Sequence, residues 1–174
     1  MPDRWKVLVI SDTHRELQTA ESVIRTFEHH IDAVYFLGDY YEDGMELSRR
    51  FPVMAFRSIP GNCDFGMRAV PVEISVADHH LLLCHGHQYA VKEGLEHLYT
   101  VCRSGGYDVC LFGHTHRAHI EEKDGILLVN PGSIGPTPRS EENYAVLKLV
   151  KGQKAEAMLG SSQKSCEKLL KFLR

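Results

Sequence analysis

Seven residues of types that bind metal ions stand in five short segments, each of which follows an apolar run. In chain order they are Asp12, His14, Asp39, Asn62, His85, His114 and His116. Imidazole nitrogens combined with carboxylate and amide oxygens suit manganese, iron, zinc or cobalt, whereas an all-oxygen set suits magnesium or calcium. Seven ligands exceed the needs of one such ion and suit two ions if one carboxylate bridges them. Asp39 is the predicted bridge, because it stands alone in its segment between the other groups.

The elements that must position these residues begin with an alternation of strands and helices. Short apolar runs predict buried strands, and apolar residues spaced by three and four predict an amphipathic helix. The predicted order is strand 6–10, helix 17–30, strand 33–37, helix 43–50 and strand 53–56. This order favours a parallel sheet.

The second half of the chain changes character. Residues 70–76 and 80–84 predict an antiparallel hairpin, and a helix at 92–103 leads to a buried strand at 109–112. Further strands are predicted at 118–122, 126–129, 144–150 and 154–158. A C-terminal helix follows, with Ser161 or Ser162 as its expected N-cap and an apolar face formed by Cys166, Leu169, Leu170 and Leu173. The whole pattern predicts one α/β domain over residues 1–174 with two sheets.

The candidate ligands all fall where predicted strands end. Open α/β sheets place their sites at the carboxyl ends of strands, so these segments are expected to converge. Glycines stand beside them, where a backbone must turn sharply or approach a ligand closely; they are Gly38, Gly61, Gly86 and Gly113. The spacing therefore predicts one site built from several loops.

The composition argues against several classes of protein. A formal net charge of -3, with Arg49 and Arg50 as the only adjacent basic pair, argues against a broad nucleic-acid surface. No apolar run is long enough to span a bilayer, and no signal peptide is expected ahead of the first strand. Five cysteines without a CxxC pair fit neither a zinc finger nor a disulfide framework and favour a reducing cytoplasm. A homo-oligomer is compatible with this composition.

The five segments together resemble the five sequence blocks of the calcineurin-like metallophosphoesterases, in their order and in their strand context. The matching blocks are Asp12-Thr13-His14, Gly38-Asp39, Gly61-Asn62-Cys63-Asp64, His85-Gly86-His87 and Gly113-His114-Thr115-His116. The short length, Cys63 and the later Asn130-Pro131-Gly132-Ser133 are similar to a small bacterial and archaeal branch of phosphodiesterases, itself similar in fold to a eukaryotic retromer subunit. The resemblance covers about residues 6–139. It implies two mixed β-sheets packed as a sandwich and flanked by helices.

The resemblance also implies a ligand set and a reaction. Asp12, His14, Asp39 and His116 would hold the first metal ion, and Asp39, Asn62, His85 and His114 the second. Manganese is the expected metal, with zinc, iron, nickel and cobalt as alternatives. A hydroxide bridging two such ions would hydrolyse a small phosphate ester without a protein nucleophile.

The candidate catalytic residues are His87, Cys63 and Asp64. Cys63 stands where most of the wider superfamily has a histidine, and a thiol is a weaker hydrogen-bond donor than imidazole. Protonation of the leaving group is therefore left to solvent or His87, or is not required by the substrate. Asp64 is expected to orient its loop or a ligand. Asn62 and Arg139 are the candidate substrate contacts, the latter through a bidentate contact with phosphate.

Two alternatives stand beside a phosphodiesterase. A phosphomonoesterase or nucleotide phosphatase would use the same ligands, although Cys63 in place of histidine leans towards diesters. A non-catalytic scaffold that binds protein partners is compatible with the retromer resemblance, and loss of ligands would favour it. All seven ligand positions keep metal-binding residue types, which favours the enzyme.

Overall fold

The computed structural model describes residues 2–137 and 141–174. Strands and helices alternate through the first part of this chain, and strands dominate the second part. In chain order the elements are β1 (Arg4–Ile10), α1 (Gln18–Phe27), β2 (Ala33–Phe36), α2 (Tyr41–Arg50), β3 (Ala55–Ser58), β4 (Val72–Val76), β5 (His79–Cys84), a short 3₁₀ helix (His87–Tyr89), α3 (Glu96–Gly105), β6 (Val109–Phe112), β7 (Ala118–Lys123), β8 (Ile126–Pro131), β9 (Asn143–Val150), β10 (Glu156–Ser161) and α4 (Glu167–Phe172).

The strands form two mixed five-stranded sheets, which confirms the fold that the resemblance implied. The first sheet has the order β10-β9-β1-β2-β3; β1, β2 and β3 are parallel, and β9 pairs antiparallel to β1. The second sheet has the order β4-β5-β6-β8-β7, in which β5, β6 and β8 are parallel. The predicted antiparallel pairing of β4 with β5 is also confirmed. In each sheet, three parallel strands therefore end at one edge.

Three apolar clusters join the layers. Val7 and Val9 of β1 belong to the cluster between the two sheets, which also contains Leu83 of β5. The alternate residues of β1, Leu8 and Ile10, belong to a cluster that α1, α2 and α4 cover. A third cluster lies between α3 and the outer face of the second sheet. Because β1 is covered on both faces, its sequence reads as a continuous apolar run and not as an alternation.

Four elements begin two or more residues later than their sequence patterns suggested, and in β4 and β10 the difference is two residues. Strand β3 starts at Ala55 and not at residue 53, because Val53 stands 98% exposed in the turn after α2. Helix α3 starts at Glu96 and not at residue 92, and residues 91–95 form a turn instead. That turn forms one side of a cleft.

The C-terminal helix α4 is short and begins at Glu167. The predicted N-cap at Ser161 or Ser162 is wrong, because Ser161 ends β10 and lies too far before the helix. Ser165 Oγ instead accepts a hydrogen bond from Glu167 N at 3.4 Å. The predicted apolar face is present, since Leu169 is buried in the cluster outside the first sheet. In the described part of the chain, no helix has the length and apolar character needed to cross a membrane.

Candidate metal centre

The carboxyl ends of the parallel strands from both sheets meet at one edge of the sandwich. There a hydrogen bond of 3.0 Å from Asp12 N to Gly38 O joins the loops after β1 and β2. Across the sheets, Ser133 Oγ lies 2.8 Å from Asp12 O, and Asp12 Oδ2 accepts a hydrogen bond from His114 N at 3.3 Å. Loops that are distant in the sequence therefore surround one space.

Several candidate ligands have backbone conformations that are uncommon for their residue types. Positive φ angles occur at Asp12 (56°), His14 (52°), Asp39 (55°), His114 (67°) and His116 (57°). Such conformations cost about 1–3 kcal/mol each and concentrate at functional sites. Here they turn the chain sharply just after each strand, so that the loops stay close to the sheet edge.

The first group of candidate ligands consists of Asp12, His14 and His116, whose ligand atoms lie within 4.8 Å of one another. Asp12 is fully buried, and its Oδ1 lies 3.1 Å from His116 Nε2. The rings of His14 and His116 meet edge to face with their centroids 4.8 Å apart. One carboxylate and two imidazoles thus surround one position, as in many sites for first-row metals.

The second group consists of Asp12, Asp39 and His85, again with ligand atoms within 4.8 Å of one another. His85 Nε2 lies 3.3 Å from Asp39 Oδ1 and 3.1 Å from Asn62 Oδ1. Asp12 is the residue that the two groups share, whereas the sequence assigned the bridge to Asp39. Asp39 belongs to the second group, and its role as the bridge stays a prediction.

A backbone contact sets the orientation of His85. Its Nδ1 lies 2.7 Å from Leu37 O, at the end of the β2 segment. Because a carbonyl oxygen only accepts, Nδ1 carries a proton, which leaves Nε2 to hold either a second proton against Asp39 or, in its place, a metal ion. Metal-binding histidines are commonly fixed by such a contact.

The charges of His85 and the nearby carboxylates are coupled. Burial disfavours the imidazolium of His85, but the hydrogen bond with Asp39 and the charge of Asp12 outweigh burial and raise the pKa of His85. Burial also disfavours the carboxylate of Asp39, yet the contacts with His85 and Cys63 hold its pKa well below the ordinary value. The site thus concentrates negative charge that attracts a proton or, in its place, a metal cation.

The remaining candidate ligands, His114 and Asn62, border the second group. The His114 ring lies 5.1 Å from the His85 ring, measured between centroids. Burial and the charges of Lys92 and His85 lower the pKa of His114 to about 4. Its imidazole is therefore neutral at neutral pH and able to bind a cation. All seven predicted ligands lie at this edge of the sandwich.

Buried atoms without a partner show that a metal ion fits this donor set. Asp12 Oδ1 and His14 Nε2 are buried and form no hydrogen bond among residues 2–137 and 141–174, because the 3.1 Å approach of His116 Nε2 to Asp12 Oδ1 lacks hydrogen-bond geometry. A buried polar atom left in this state costs about 1–3 kcal/mol. A divalent cation would satisfy both atoms, and the mixture of nitrogen and oxygen donors suits a first-row metal.

Gly61 lets the loop after β3 approach Asp39. A Cβ atom at position 61 would lie 2.2 Å from Asp39 Oδ1 and 2.4 Å from Asp39 N, both too close for any side chain. The close approach also brings Cys63 N within 2.9 Å of Asp39 Oδ1. A glycine at this position is therefore a steric requirement of the site.

A protein-family model described as the calcineurin-like phosphoesterase superfamily domain matches residues 5–152, which include every candidate ligand. The chain belongs to this superfamily. Among curated relatives, the probable metallophosphoesterase YsnB of Bacillus subtilis is 34% identical over 146 residues, covering 82% of this chain and 83% of the relative. Phosphodiesterase MJ0936 of Methanocaldococcus jannaschii is 28% identical over 146 residues, covering 73% of this chain and 82% of the relative.

Solved structures share the fold of this phosphoesterase. Vacuolar protein sorting 29 from Cryptosporidium parvum superimposes with a TM-score of 0.70 at 19% identity, covering 91% of this chain and 98% of that chain. At this level of identity the likeness concerns the fold. Membership of the superfamily implies divalent metal ions, and the two ligand groups are where this phosphoesterase would hold them.

Cys63 of the phosphoesterase contacts the Asp39 carboxylate. Its Sγ donates to Asp39 Oδ2 at 3.3 Å, and its backbone N donates to Oδ1 at 2.9 Å. Burial and the neighbouring Asp39 carboxylate raise the pKa of Cys63 to about 11, so the thiol stays protonated at neutral pH. This geometry favours a role in holding Asp39. The assignment of Cys63 to the catalytic residues stays a prediction.

Asp64 joins two loops of the site. Its Oδ1 accepts a hydrogen bond from Tyr41 N, and its Oδ2 accepts one from Gly61 N, both at 2.7 Å. Hydrogen bonds to a charged acceptor are stronger than neutral ones. Asp64 thereby links the loop that carries Asp39 to the loop that carries Asn62, and its role in the site stays a prediction.

His87 lies beside the second ligand group. Its ring centroid is 5.5 Å from that of His85 and 5.9 Å from that of His114. Burial and the charge of His85 lower the pKa of His87, so its ring is neutral at neutral pH. Its Nδ1 is buried without a hydrogen-bond partner among the described residues. A catalytic role for His87 stays a prediction.

Of the two candidate substrate contacts, only Asn62 lies among the described residues. Asn62 lies in the site, with Oδ1 3.1 Å from His85 Nε2 and Nδ2 3.5 Å from Cys63 Sγ. Arg139 lies outside the described residues. The assignment of either residue to substrate binding stays a prediction.

Sequence reasoning missed residues that support the ligands. Ser11 Oγ donates a hydrogen bond to Asp12 Oδ2, and Asn130 Nδ2 donates to Gly113 O at 2.8 Å and to Thr115 Oγ1 at 3.0 Å. Two features of the sequence could have identified them. Ser11 stands next to Asp12, and Asn130 begins a polar segment directly after the predicted strand at 126–129. Neither residue type is a frequent metal ligand, so a search by ligand type passed over both.

Proposed function

We propose that this phosphoesterase is a phosphodiesterase that hydrolyses a small phosphate diester with two divalent metal ions, and that it uses manganese. The observation that carries the proposal is the pair of ligand groups that share Asp12, together with buried donor atoms that lack another partner in the described chain. One group would support one ion. Two adjoining groups support the pair of ions that many phosphoryl-transfer enzymes use.

We assign the ligands as the family resemblance implies. One ion would be held by Asp12, His14, Asp39 and His116, and the other by Asp39, Asn62, His85 and His114. When bound, the two ions supply activation of water and compensation of the negative charge on the phosphoryl group.

The protein itself contributes orientation and hydrogen bonding. Leu37 O holds the His85 ring, and the amide and thiol of Cys63 hold the Asp39 carboxylate. His87, whose neutral ring lies beside the second ligand group, would donate an N–H to a phosphoryl oxygen. Water would supply the attacking oxygen and lose a proton, and the ester P–O bond would break. The leaving oxygen would take up a proton from solvent, or from His87 once that ring had accepted the proton of the attacking water.

Diester hydrolysis is favoured over monoester hydrolysis by two observations. The relative from Methanocaldococcus jannaschii, 82% of whose length aligns with this chain, is named a phosphodiesterase. In addition, Cys63 stands where the wider superfamily has a histidine, and its thiol contacts Asp39. The complete ligand set argues against a scaffold without catalysis, although the fold is also that of a vacuolar protein sorting protein.

We also propose a cytoplasmic location. The five cysteines, including the buried Cys84, Cys102 and Cys110, are free thiols in the structure. Free thiols persist in reducing compartments and pair in oxidising ones. The location of a fluorescent reporter fused to this protein, in the cytoplasm or elsewhere, would test this part of the proposal.

A substrate screen tests the proposed reaction. Chelator-stripped protein, reloaded with manganese, is expected to hydrolyse bis(p-nitrophenyl) phosphate with a kcat/KM at least about tenfold above that for p-nitrophenyl phosphate, a difference of about 1.4 kcal/mol. The assay is absorbance of released nitrophenolate, with zinc, iron, nickel and cobalt each tested in parallel. A preference for the monoester with every metal would favour a phosphomonoesterase, and no hydrolysis of either ester would favour the scaffold.

The leaving group provides a second test, centred on Cys63. Alkyl and nucleoside leaving groups gain roughly 100- to 10,000-fold from a positioned acid, whereas nitrophenolate needs little protonation. We expect Cys63→Ala to change the nitrophenyl diester rate only a few-fold, since a thiol is a weak donor and the backbone contact with Asp39 remains. Cys63→His is expected to gain relatively more on alkyl esters. A large loss in Cys63→Ala with all substrates would contradict this account of the third block.

A further inference from the structure

A cleft of about 560 Å³ opens between the turn before α3 and the loop between β6 and β7. Its walls include Val91, Lys92, Leu95, Phe112, Thr115 and Arg117. The turn exists because α3 begins at Glu96, four residues later than its apolar pattern suggested. Val91 and Leu95 are thereby presented to the cleft from an irregular segment, and not from a helix face.

The cleft adjoins the candidate metal centre on two sides. Thr115 lies between the candidate ligands His114 and His116, and it lines the cleft. On the other side, Val91 packs directly behind Gly86, because a Cβ on Gly86 would lie 2.8 Å from Val91 Cγ2. Gly86 follows the candidate ligand His85. The cleft therefore lies against the loops that carry His85, His114 and His116.

The cleft carries positive charge without a matching carboxylate. Lys92 and Arg117 are both exposed and line it, and neither makes an ion pair with the described residues. Of the acidic residues near the cleft in sequence, Glu96 pairs with Lys123 Nζ at 3.1 Å and Glu121 pairs with His119 Nε2 at 3.1 Å, whereas Glu93 follows Lys92 on the exposed turn. No aspartate or glutamate is among the residues that line the cleft.

The other residues that line the cleft are mostly apolar, with Thr115 and His119 as the polar exceptions. Val91 and Phe112 are almost fully buried beneath it, and Leu95 is half-buried at its side. A cleft lined by apolar side chains and two cations matches a molecule that combines a ring or hydrocarbon group with a negative charge. Neither an uncharged alkyl group nor a bare anion would use both features.

We propose that this cleft is the subsite for the alcohol portion of the diester, and that it selects substrates in which that portion combines a ring with a second anionic group. The scissile phosphate would lie at the metal centre, the ring against Val91 and Leu95, and the second anion between Lys92 and Arg117. The substrate class is therefore a phosphodiester with an additional phosphate or carboxylate. This inference rests on the proposed phosphodiesterase activity.

A matched substrate pair tests the subsite. The pair is a nucleoside p-nitrophenyl phosphodiester and the same compound with a second phosphate on its sugar. The manganese-loaded wild type is expected to have a KM about tenfold lower for the doubly charged compound, as charge-assisted contacts from two exposed cations suggest. The ratio of the two KM values should fall towards one in Lys92→Met, Arg117→Met and most fully in the double variant.

Lys151→Met is the matched control, because Lys151 is an exposed cation in the β9–β10 turn and lies outside the cleft. It should keep the wild-type ratio. Equal KM values for both compounds in the wild type would overturn the proposal, as would a ratio that the double variant preserves. These results would leave the proposed phosphodiesterase activity intact.

A binding measurement separates this proposal from the proposed reaction. Calorimetric titration of the manganese-loaded protein with a nucleoside bisphosphate and with the corresponding monophosphate should show tighter binding of the bisphosphate. If that preference depends on Lys92 and Arg117 but no diester is hydrolysed, the cleft is supported as an anion site and the reaction is wrong. If neither hydrolysis nor such a preference occurs, both proposals fail.

Discussion

Asp39→Asn is expected to lower phosphodiester hydrolysis at least about 1000-fold, because one change weakens the site proposed to hold both ions. Compensation of phosphoryl charge by bound metal is worth several kcal/mol, and about 4 kcal/mol corresponds to a factor of 1000 in rate. Asp39 is almost fully buried, and its carboxylate faces His85 Nε2 at 3.3 Å and two donors of Cys63. An amide keeps the shape but loses the negative charge.

The measurements are kcat/KM with bis(p-nitrophenyl) phosphate and the number of bound manganese ions per chain. Far-ultraviolet circular dichroism verifies that the variant is folded. Asp124→Asn is the matched control, since Asp124 is 61% exposed, pairs with Arg103 and should keep both activity and metal content. Full activity and two bound ions in Asp39→Asn would show that the ligand assignment is wrong.

Manganese is expected to raise the thermal midpoint of chelator-stripped protein by about 5–10 °C. A ligand that binds only the folded state stabilises it by mass action, by roughly 2.7 kcal/mol at 100 times Kd, and each kcal/mol shifts a domain of this size by roughly 2–4 °C. The physical source is the buried Asp12 carboxylate, whose Oδ1 lacks a hydrogen-bond partner in the described chain, and the unpartnered His14 Nε2.

Differential scanning fluorimetry across a manganese titration measures this shift. Calcium, which favours oxygen ligands, should raise the midpoint less than manganese does. The shift should also be smaller in Asp39→Asn. An unchanged midpoint at saturating manganese, in protein shown to bind the ion, would contradict a site that is organised by its metal.

Much of the site was predictable from the sequence, because its residues stand where parallel strands end. The runs at β1 and β2 are apolar on both faces and therefore read as buried strands. Each is followed by a carboxylate, and parallel strands in one sheet must end at the same edge. The ligand types and their order then indicated the metal centre and its family before any contact was known.

Element ends were less predictable, because tertiary packing sets them. Val53 continues the apolar pattern of β3 but lies in an exposed turn, and the pairing of β3 with β2 begins only at Ala55. Ser161 and Ser162 suit an N-cap locally, yet Ser161 pairs with Asn143 of β9 and ends a strand. In both cases a hydrogen-bonded partner distant in sequence outweighed the local preference.

By its periodicity the sequence indicated an α/β domain with two sheets. Its five sequence blocks indicated the superfamily, the sandwich fold that the superfamily implies and the residue types of the metal centre. Only the tertiary structure decided what each supporting side chain touches. It put the Cys63 thiol on Asp39, made Asp12 the residue common to both ligand groups, and placed Lys92 and Arg117 in the lining of one cleft. These contacts join loops far apart in the chain, and no periodicity or local spacing encodes the distance between such loops.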